Sequence, residues 1–316
     1  MADVPAFDRV TVFGGITVDR IARTDAAAAL GVSNPGTVRS SPGGVGFNMA
    51  TSLARLGLKT RLVAIVGADA DGESVLAAAK AAGVDVDRIV ISRGKPTATY
   101  QAAIGDDGEL VIGVADMQVY DELDPATVAP AAAGPEAGDF WVVDANLMPE
   151  TLAFLIGEAN AARRPLAGLA VSPSKAARFA PLFDHLNYLF ANRREAAAIL
   201  GRPWDGRGPA PVELADEIRR GGCANVVVTN AREPLAAVSG SDMRAFAPLR
   251  AAVRTVNGAG DALSAGTVYG LAQGRGLFEA IRFGLALSAL TIESDETVRS
   301  DLTPSLLAER IGGGVR

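Results

Sequence analysis

The chain has 316 residues, of which 49% are apolar and 21% charged, a composition that is typical of a globular protein and allows one large domain. The net charge of -6, with no Lys/Arg run interleaved with aromatic residues, argues against a nucleic-acid or anionic-membrane partner. No apolar run approaches the length that would span a membrane.

A single cysteine and a single histidine limit the chemistry that the chain can perform. Cys223 alone cannot form an intrachain disulfide, and no signal-peptide pattern is visible, so we expect a reducing, cytoplasmic location. His185, in an apolar stretch at residues 183–189 that we predict to be helical, makes a His-dependent triad or a multi-histidine metal centre hard to build. We interpret both residues as structural, which leaves carboxylates, amides and backbone groups for chemistry.

The N-terminal third predicts strands and helices in alternation. Apolar strand patterns occupy residues 10–15 and 62–66, and helix patterns occupy residues 49–57 and 73–82. Such an alternation is typical of a parallel sheet with helices on both faces.

Two stretches in this region carry groups that could bind a ligand. Asp19 follows the first strand, and open α/β sheets place binding groups beyond the carboxyl ends of their strands. Gly43 and Gly44 would let a ligand lie against bare backbone, and Asn48 offers a donor and an acceptor to hydroxyls. Alternatively, Asp19 is a solvated loop residue and the glycine stretch is an ordinary cap of the following helix.

Residues 96–114 break the alternation. Two strand-like runs flank Asp106-Asp107-Gly108, which is a strong hairpin signal. A hairpin inside such a chain indicates a separate antiparallel layer, and we predict that it forms a lid together with residues 16–40.

The alternation resumes after residue 123 and continues without an interdomain linker. The predicted strands are residues 140–144, 166–172 and 224–229, with a second hairpin at residues 236–246. The predicted helices are residues 149–160, 192–200, 212–221 and 277–292.

Asn192 and Glu195 stand at the start of one of these helices. Their spacing is that of a capping box, which would explain both residues structurally. The functional interpretation is that both side chains face a metal-bound phosphate group.

A small-residue turn, Gly258-Ala259-Gly260, runs into Asp261 and an Ala- and Gly-rich helix pattern. Backbone N–H groups at a helix start lack intrahelical partners and form a cradle for an anion. Asp261 at its mouth is well placed to take a proton from an attacking hydroxyl, so our first hypothesis is phosphoryl transfer to an alcohol. The same string could also be an ordinary helix N-cap.

The order of these three motifs makes the chain resemble the ribokinase (phosphofructokinase B type) family of carbohydrate and nucleoside kinases. The motifs are Gly43-Gly44 with Asn48, Asn192 with Glu195, and Gly258 to Asp261, and the resemblance covers nearly the whole chain. It implies a ribokinase-like three-layer α/β sandwich with a mainly parallel central sheet and a small β-strand lid. The whole chain, 1–316, would then be one kinase domain.

The resemblance also implies roles for individual residues. Asp261 would be the general base, and Gly258, Ala259 and Gly260 would form the anion hole. On the ATP side, the implied residues are Asn192, Glu195, Thr229, Asn257, Gly258 and Gly260, with Glu195 holding Mg through water. On the acceptor side, they are Asp19, Gly43, Gly44, Asn48, Thr97, Tyr100, Asp116 and Met117.

Three local strings resemble the family members that act on pseudouridine. They are residues 41–48, Ala115-Asp116-Met117 and residues 143–147. The implied reaction is ATP-dependent phosphorylation of the 5′-hydroxyl of pseudouridine, and a group near Asp116 could accept from the extra ring N–H of a carbon-linked base. The alternatives are another sugar or nucleoside kinase, acting on ribose or adenosine for example, and a non-catalytic nucleoside-binding protein.

Two departures from the family pattern leave questions open. Thr255 stands where the family commonly has an Asp that helps to hold a monovalent cation, so potassium activation is open, with Thr255 and backbone carbonyls as candidate ligands of a weaker site. Residues 226–229 run into Asn230-Ala231-Arg232 rather than a glycine turn, which leaves the adenine contacts open. By analogy with the family, we also expect a homodimer that pairs the apolar outer faces of the lids.

Overall fold

A computed structural model of the chain describes residues 6–133 and 139–313. The strands are β1 (Arg9–Phe13), β2 (Thr17–Thr24), β3 (Gly36–Gly43), β4 (Lys59–Val63), β5 (Ile65–Gly67), β6 (Val90–Ser92), β7 (Thr99–Ile104), β8 (Leu110–Asp116), β9 (Phe140–Asp144), β10 (Leu166–Leu169), β11 (Tyr188–Asn192), β12 (Asn225–Asn230), β13 (Glu233–Ser239) and β14 (Asp242–Phe246). The helices are α1 (Val45–Arg55), α2 (Ala70–Ala81), α3 (Pro125–Ala132), α4 (Pro149–Ala161), α5 (Pro173–Ala176), α6 (Arg193–Ile199), α7 (Pro211–Arg220), α8 (Ala259–Ala272), α9 (Leu277–Ile292) and α10 (Pro304–Gly313).

Eight strands of the described residues form a central sheet in the order β14-β13-β12-β11-β10-β9-β1-β4. The pairs from β12 to β4 are parallel, and β13 and β14 are added antiparallel at one edge. Every residue of β9 is buried, because a parallel sheet with helices on both faces shields both sides of its strands. The predicted mainly parallel sheet is confirmed.

Alternate residues of the central strands point into two different apolar layers, which makes the domain a three-layer sandwich. In β9, Phe140 and Val142 pack with helices α1, α8 and α9, whereas Trp141 and Val143 pack with α4, α6 and α7. This period of two follows from the pleat of a strand. The carboxyl ends of the parallel strands therefore meet at one edge, between the two helical layers.

A second, four-stranded sheet has the order β3-β2-β7-β8 and is called the small sheet below. Its β7–β8 hairpin confirms the hairpin predicted within residues 96–114. Residues 16–40, assigned to the lid without strands, contain β2 and most of β3, and β2 pairs parallel with β7. Large apolar side chains on this sheet are exposed, by 57% to 69% at Val38, Leu110, Ile112 and Val114.

The prediction of a helix at residues 183–189 was wrong. Only a single 3-10 turn, Phe183–His185, forms there, and β11 begins at Tyr188 because its residues pair with β10 and β12. His185 is exposed and lies 3.8 Å from the carboxylate of Asp184. Cys223 is fully buried, as its interpretation as a structural residue requires.

The strand predicted at residues 62–66 is divided between two sheets. β4 ends at Val63 as the edge of the central sheet, and β5 turns away after Ala64 to pair with β6. Within the described ranges, none of the helices has both the length and the apolar character needed to cross a membrane.

Candidate active site

The turn before α8 has a backbone that glycine alone adopts easily. Gly258 has a φ of 75°, in the left-handed region, and a Cβ there would lie 2.6 Å from the Cγ2 and carbonyl oxygen of Thr297. The α8 helix begins at Ala259, and no side chain caps it at Gly258. The predicted helix start is therefore in place, with its amino end uncapped by a side chain.

Asp261 lies in the first turn of α8 and is half-buried. Burial raises the pKa of its carboxyl to about 7, and the hydrogen bond from Asn48 works in the opposite direction. The negative charges of Asp144, Glu195 and Asp19 raise this pKa further. Near neutral pH the Asp261 carboxylate can therefore accept a proton and the acid can release it again.

Asn48 connects α1 to this carboxylate across 213 residues of sequence. Its Nδ2 donates to Oδ2 of Asp261 over 2.7 Å. Its Oδ1 is buried and accepts no hydrogen bond in the described part of the chain, and Thr51 Oγ1, one turn later, also lacks a partner. Because a buried acceptor without a donor is costly, we expect Asn48 Oδ1 to accept a hydrogen bond from a ligand.

The glycines before α1 allow three chain segments to approach one another. A Cβ at Gly43 would overlap the carboxylate of Asp19, and one at Gly44, whose φ is 95°, would lie 2.6 Å from the carbonyl oxygen of Gly15. Asp19 lies within β2 rather than in a loop, and it accepts a 2.9 Å hydrogen bond from Thr17 Oγ1. Burial raises the pKa of Asp19 as well.

The capping box at the start of α6 is confirmed. Asn192 Oδ1 accepts from the Glu195 N–H over 3.0 Å, and Glu195 Oε2 accepts from the Asn192 N–H over 2.8 Å. Glu195 is only 8% exposed, and burial raises the pKa of its carboxyl. Because the box uses one carboxylate oxygen, the second remains available to a ligand.

A cleft of about 160 Å³ brings these two motifs together. Its lining residues are Val45, Leu169, Ala170, Val171, Phe190, Ala191, Asn192, Glu195, Thr229, Gly260, Asp261 and Ser264. Asn192 and Glu195 of the α6 start and Gly260 and Asp261 of the α8 start therefore share one space at the carboxyl edge of the central sheet, where open α/β sheets bind ligands, whereas Gly258 and Ala259 do not line it.

Other predicted site residues do not line this cleft. Thr97 is occupied in holding Asp69, to which its Oγ1 and N–H donate over 2.6 and 2.8 Å. Tyr100 lies on β7 of the small sheet, and Asp116 and Met117 lie at its junction with the rest of the chain, all three half-buried. Asn257 is exposed in the turn before α8. Their roles remain predictions.

One buried carboxylate received no role from the sequence. Asp144, at the carboxyl end of β9, is fully buried and accepts from the N–H groups of Gly15 and Asn146, each over 2.8 Å. Burial raises its pKa, and these hydrogen bonds and the nearby Lys175 ammonium oppose that change. The sequence signal that could have singled out Asp144 is its position as an acid at the end of a buried strand. Its hydrogen-bond partner Gly15 lies 129 residues away, and the sequence gives no sign of that contact.

No group of three or more His, Cys, Asp or Glu side chains within residues 6–133 and 139–313 is arranged to hold a metal ion. Protein groups alone therefore do not form a metal centre there. A divalent ion would need phosphate oxygens or water beside the free carboxylate oxygen of Glu195.

Comparison with known proteins agrees with the fold. The sequence profile of the pfkB family of carbohydrate kinases matches residues 8–304. The chain is 28% identical over 298 residues to the pseudouridine kinase of Escherichia coli K12, with 94% of both chains covered. A solved carbohydrate kinase from Agrobacterium tumefaciens is 33% identical, with a TM-score of 0.83 over 96% of this chain and 97% of that one. Arabidopsis thaliana ribokinase complexed with ribose and ATP, at 17% identity, has a TM-score of 0.79 over 98% of this chain and 99% of that one.

Proposed function

The chain belongs to the pfkB family of carbohydrate kinases, and on that premise we propose that it transfers the γ-phosphoryl group of ATP to the 5′-hydroxyl of pseudouridine. Family membership makes the protein a phosphotransferase that acts on a sugar or a nucleoside. The proposal adds ATP as the phosphoryl donor, the 5′-hydroxyl as the attacking group and pseudouridine as the acceptor.

One observation carries the proposed chemistry. Asp261 lies in the first turn of α8 with a pKa of about 7, and it shares a small cleft with Glu195 and Asn192. A proton acceptor beside the positive end of a helix dipole is the combination that phosphoryl transfer to an alcohol requires. The Arabidopsis neighbour, whose structure contains ribose and ATP, supports a sugar and ATP as the two substrates.

In the proposed reaction, the 5′-oxygen of the acceptor bonds to the γ-phosphorus while the bond from that phosphorus to the β–γ bridging oxygen breaks. Asp261 accepts the proton of the attacking hydroxyl, and ADP leaves. Backbone N–H groups of residues 258–260 stabilise the charge on the transferring group, since they need no reorientation during the reaction. Asn48 holds Asp261 with Nδ2 and offers Oδ1 to an acceptor hydroxyl.

The cleft fits a magnesium ion shared with the donor. Glu195 keeps one carboxylate oxygen outside its capping box and would hold the ion through water. When bound, Mg²⁺ neutralises charge on the phosphate oxygens. Asn192 keeps Glu195 oriented by accepting its backbone N–H.

The polar side chains near Thr255 are engaged by protein partners rather than left for a potassium ion. Thr255 Oγ1 accepts from the Asn257 N–H over 3.2 Å, and the carboxylate of Asp295 pairs with Arg254 over 2.5 Å. The backbone N–H of Arg254 also donates to Ile292 over 2.7 Å. Protein groups therefore already hold the turn before α8 to the segment that follows α9, and no step is assigned to a monovalent cation.

The small sheet is proposed as the lid. Water competes with the acceptor for the phosphoryl group, so a cover that closes over the cleft favours transfer to the alcohol. The exposed side chains of Leu110, Ile112, Val114 and Val38 form an apolar surface that we propose pairs with the same surface of a second copy.

Pseudouridine as the acceptor is supported by the similarity to the E. coli enzyme and by Asp116, which lies where the small sheet rejoins the chain. The test is a panel of pseudouridine, uridine, ribose and adenosine with MgATP, with ADP release measured by a coupled assay and the product identified by mass spectrometry. The proposal predicts the highest kcat/KM for pseudouridine. A clear preference for ribose or adenosine would replace pseudouridine as the proposed acceptor. If none of the four compounds causes ADP release, a non-catalytic nucleoside-binding protein is favoured.

Asp116→Ala tests the residue that we assign to the base. If Asp116 accepts from the ring N–H that pseudouridine has and uridine lacks at the same position, the variant loses discrimination between the two nucleosides. Asp106→Ala, which removes an exposed carboxylate from the tip of the same hairpin, is the matched control. Unchanged discrimination in Asp116→Ala would remove this assignment.

A further inference from the structure

The buried carboxylate of Asp144 stands behind the cleft and takes no part in the proposed transfer. It is joined to Asp261 by a short series of contacts through Gly15 and the start of α1. Asp144 Oδ2 accepts from the Gly15 N–H over 2.8 Å, and the Gly15 carbonyl accepts from the Phe47 N–H over 3.1 Å. The next residue, Asn48, donates to Asp261 over 2.7 Å.

The glycines along this series leave no room for a side chain. A Cβ on Gly14 would overlap the Asp144 carboxylate, and a Cβ on Gly15 would lie 2.5 Å from Asn146 Nδ2. A Cβ on Gly46 would lie 2.8 Å from the carbonyl carbon of Gly14. The end of β1 is therefore packed between the Asp144 turn on one side and the first turn of α1 on the other.

Helix α5 and the 3-10 turn that follows it, Ala177–Phe179, hold the Asp144 turn from behind. Lys175 Nζ donates to Asn146 Oδ1 over 2.6 Å, and Arg178 Nη1 donates to the carbonyls of residues 145, 146 and 147 over 2.9 to 3.0 Å. Lys175 also lies close enough to Asp144 to favour its ionised form. These groups offset part of the cost of burying a carboxylate completely.

We propose that Asp144 is a positioning residue of the phosphoryl transfer. It fixes the Gly14-Gly15 turn on which the first turn of α1 sits, and it thereby sets the hydrogen bond from Asn48 to Asp261. Its charge also acts on Asp261 directly, alongside Glu195 from α6 and Asp19 from β2. This role deepens the proposed function and rests on it in assuming that the reaction is a phosphoryl transfer. The effect of Asp144 on Asp261 does not depend on that assumption.

Asp144→Asn tests the proposal, because the two side chains have nearly the same shape. The amide can accept only one of the two N–H bonds through its oxygen, and it carries no charge. We expect kcat to fall by at least ~10-fold, the usual effect of removing a partner that orients a reacting group, with the KM for ATP within ~2-fold of the wild type. The pKa of Asp261 responds in two opposite ways, because the loss of one nearby negative charge lowers it and a weakened hydrogen bond from Asn48 raises it.

A readout independent of turnover is the titration of Asp261 itself, followed by NMR with aspartate labelled at the carboxyl ¹³C and assigned by the signal missing from Asp261→Asn. Asp124→Asn is the matched control, since Asp124 accepts a backbone N–H at an exposed helix N-cap. An Asp261 titration and an Asn48 side-chain amide NMR signal that are both unchanged in folded Asp144→Asn overturn the proposal. A shifted titration in a protein without kinase activity would reject the proposed function and retain the positioning role.

Lys175 provides a second test that leaves Asp144 in place and applies even where Asp144→Asn fails to fold. Lys175→Met frees Asn146 and should lower kcat at an unchanged KM for the acceptor, whereas Lys175→Arg, which can still donate to Asn146, should restore most of it. An increase in acceptor KM at constant kcat would place Lys175 on the substrate and overturn its part in the series.

Discussion

At the scale of single residues, the acid–base state of Asp261 decides the proposed chemistry. Its carboxylate is held by Asn48 and surrounded by the charges of Asp19, Asp144 and Glu195. These like charges and the loss of water keep its proton affinity close to what a base needs at neutral pH.

Asp261→Asn should lower kcat by at least ~100-fold, the usual size of a general-base contribution. The amide retains the shape of the side chain and can still accept from Asn48 through its oxygen, so the fold should be preserved. Steady-state kinetics measures the loss, and circular dichroism with thermal melting checks the fold. Near-normal turnover in a folded variant would contradict the assignment.

The pH dependence of kcat/KM follows from the same carboxylate. Asp261 must be deprotonated to accept the hydroxyl proton, and its pKa is about 7, so kcat/KM should fall as the pH drops below about 7. On the acidic side of the profile, kcat/KM should approach a tenfold loss per pH unit. An activity that stays constant between pH 5 and 8, with stable protein throughout, would contradict a role for this group.

Ala231 occupies the turn between β12 and β13 with a φ of 51°, a conformation that costs energy for any residue with a Cβ. Ala231→Gly should raise the free energy of unfolding by ~0.5–1 kcal/mol, since relief of this strain exceeds the entropy that glycine adds to the unfolded chain. Ala77→Gly, at an exposed position within α2, is the control and should lower stability by ~1 kcal/mol. Urea denaturation compares the two, and the same sign for both would contradict the strain argument.

At the scale of elements, the start of α8 depends on its contact with the segment that follows α9. Arg254 pairs with Asp295, and Gly258 lies against Thr297 with no space for a Cβ. Arg55, at the end of α1, donates to the carbonyls of Val298 and Arg299 over 3.0 and 2.5 Å. The guanidinium groups of Arg254 and Arg55 thus hold residues 295–299 to the start of α8 and to the end of α1.

This arrangement predicts that potassium does not activate the enzyme. Initial rates with saturating substrates should agree within ~2-fold in potassium, sodium and tetramethylammonium chloride at equal ionic strength, since Thr255 Oγ1 and the Asp295 carboxylate already have protein partners. The same rate measurements on Arg254→Gln test whether the ion pair between Arg254 and Asp295 matters for this insensitivity. Activation by potassium alone, by an order of magnitude, would show that a cation site exists.

The small sheet supplies a prediction about assembly. If its apolar outer face pairs two copies, Ile112→Glu should convert a dimer into a monomer, because it places a charge in the centre of that face. Light scattering after size exclusion measures the mass, and Met243→Glu, at an exposed position on β14, is the matched control. A wild-type protein that is already monomeric would contradict the pairing.

At the scale of the whole molecule, the sequence predicts an element best where a buried run has clear limits. The bounds of β9 were predicted to the residue, because a run of four apolar residues follows Asp139 and ends at the acidic Asp144. The strands β2 and β3 were missed, since Thr17–Thr24 and Gly36–Gly43 mix polar and apolar residues and are half-exposed or exposed along most of their length. Residues 183–189 show that a short apolar run does not by itself distinguish a helix from a buried strand.

The candidate site divides in the same way. Local signals such as a glycine turn before an acid or a capping-box spacing were sufficient to single out Asp261, Asn192 and Glu195. The role of Asp144 depends on Gly15, 129 residues away, and the bond from Asn48 to Asp261 spans 213 residues. Such contacts exist only once the sheet order is set, and no spacing in the sequence encodes them.

The carboxylates that surround Asp261 also bear on how a catalytic cycle ends. A phosphorylated product and ADP are both anions, and each would leave a space whose fixed protein charges are largely negative. Without a bound cation to neutralise them, these charges would repel an anionic product instead of retaining it. The same group of acids that prepares the base for proton transfer therefore favours product release and a low affinity for metal-free nucleotides.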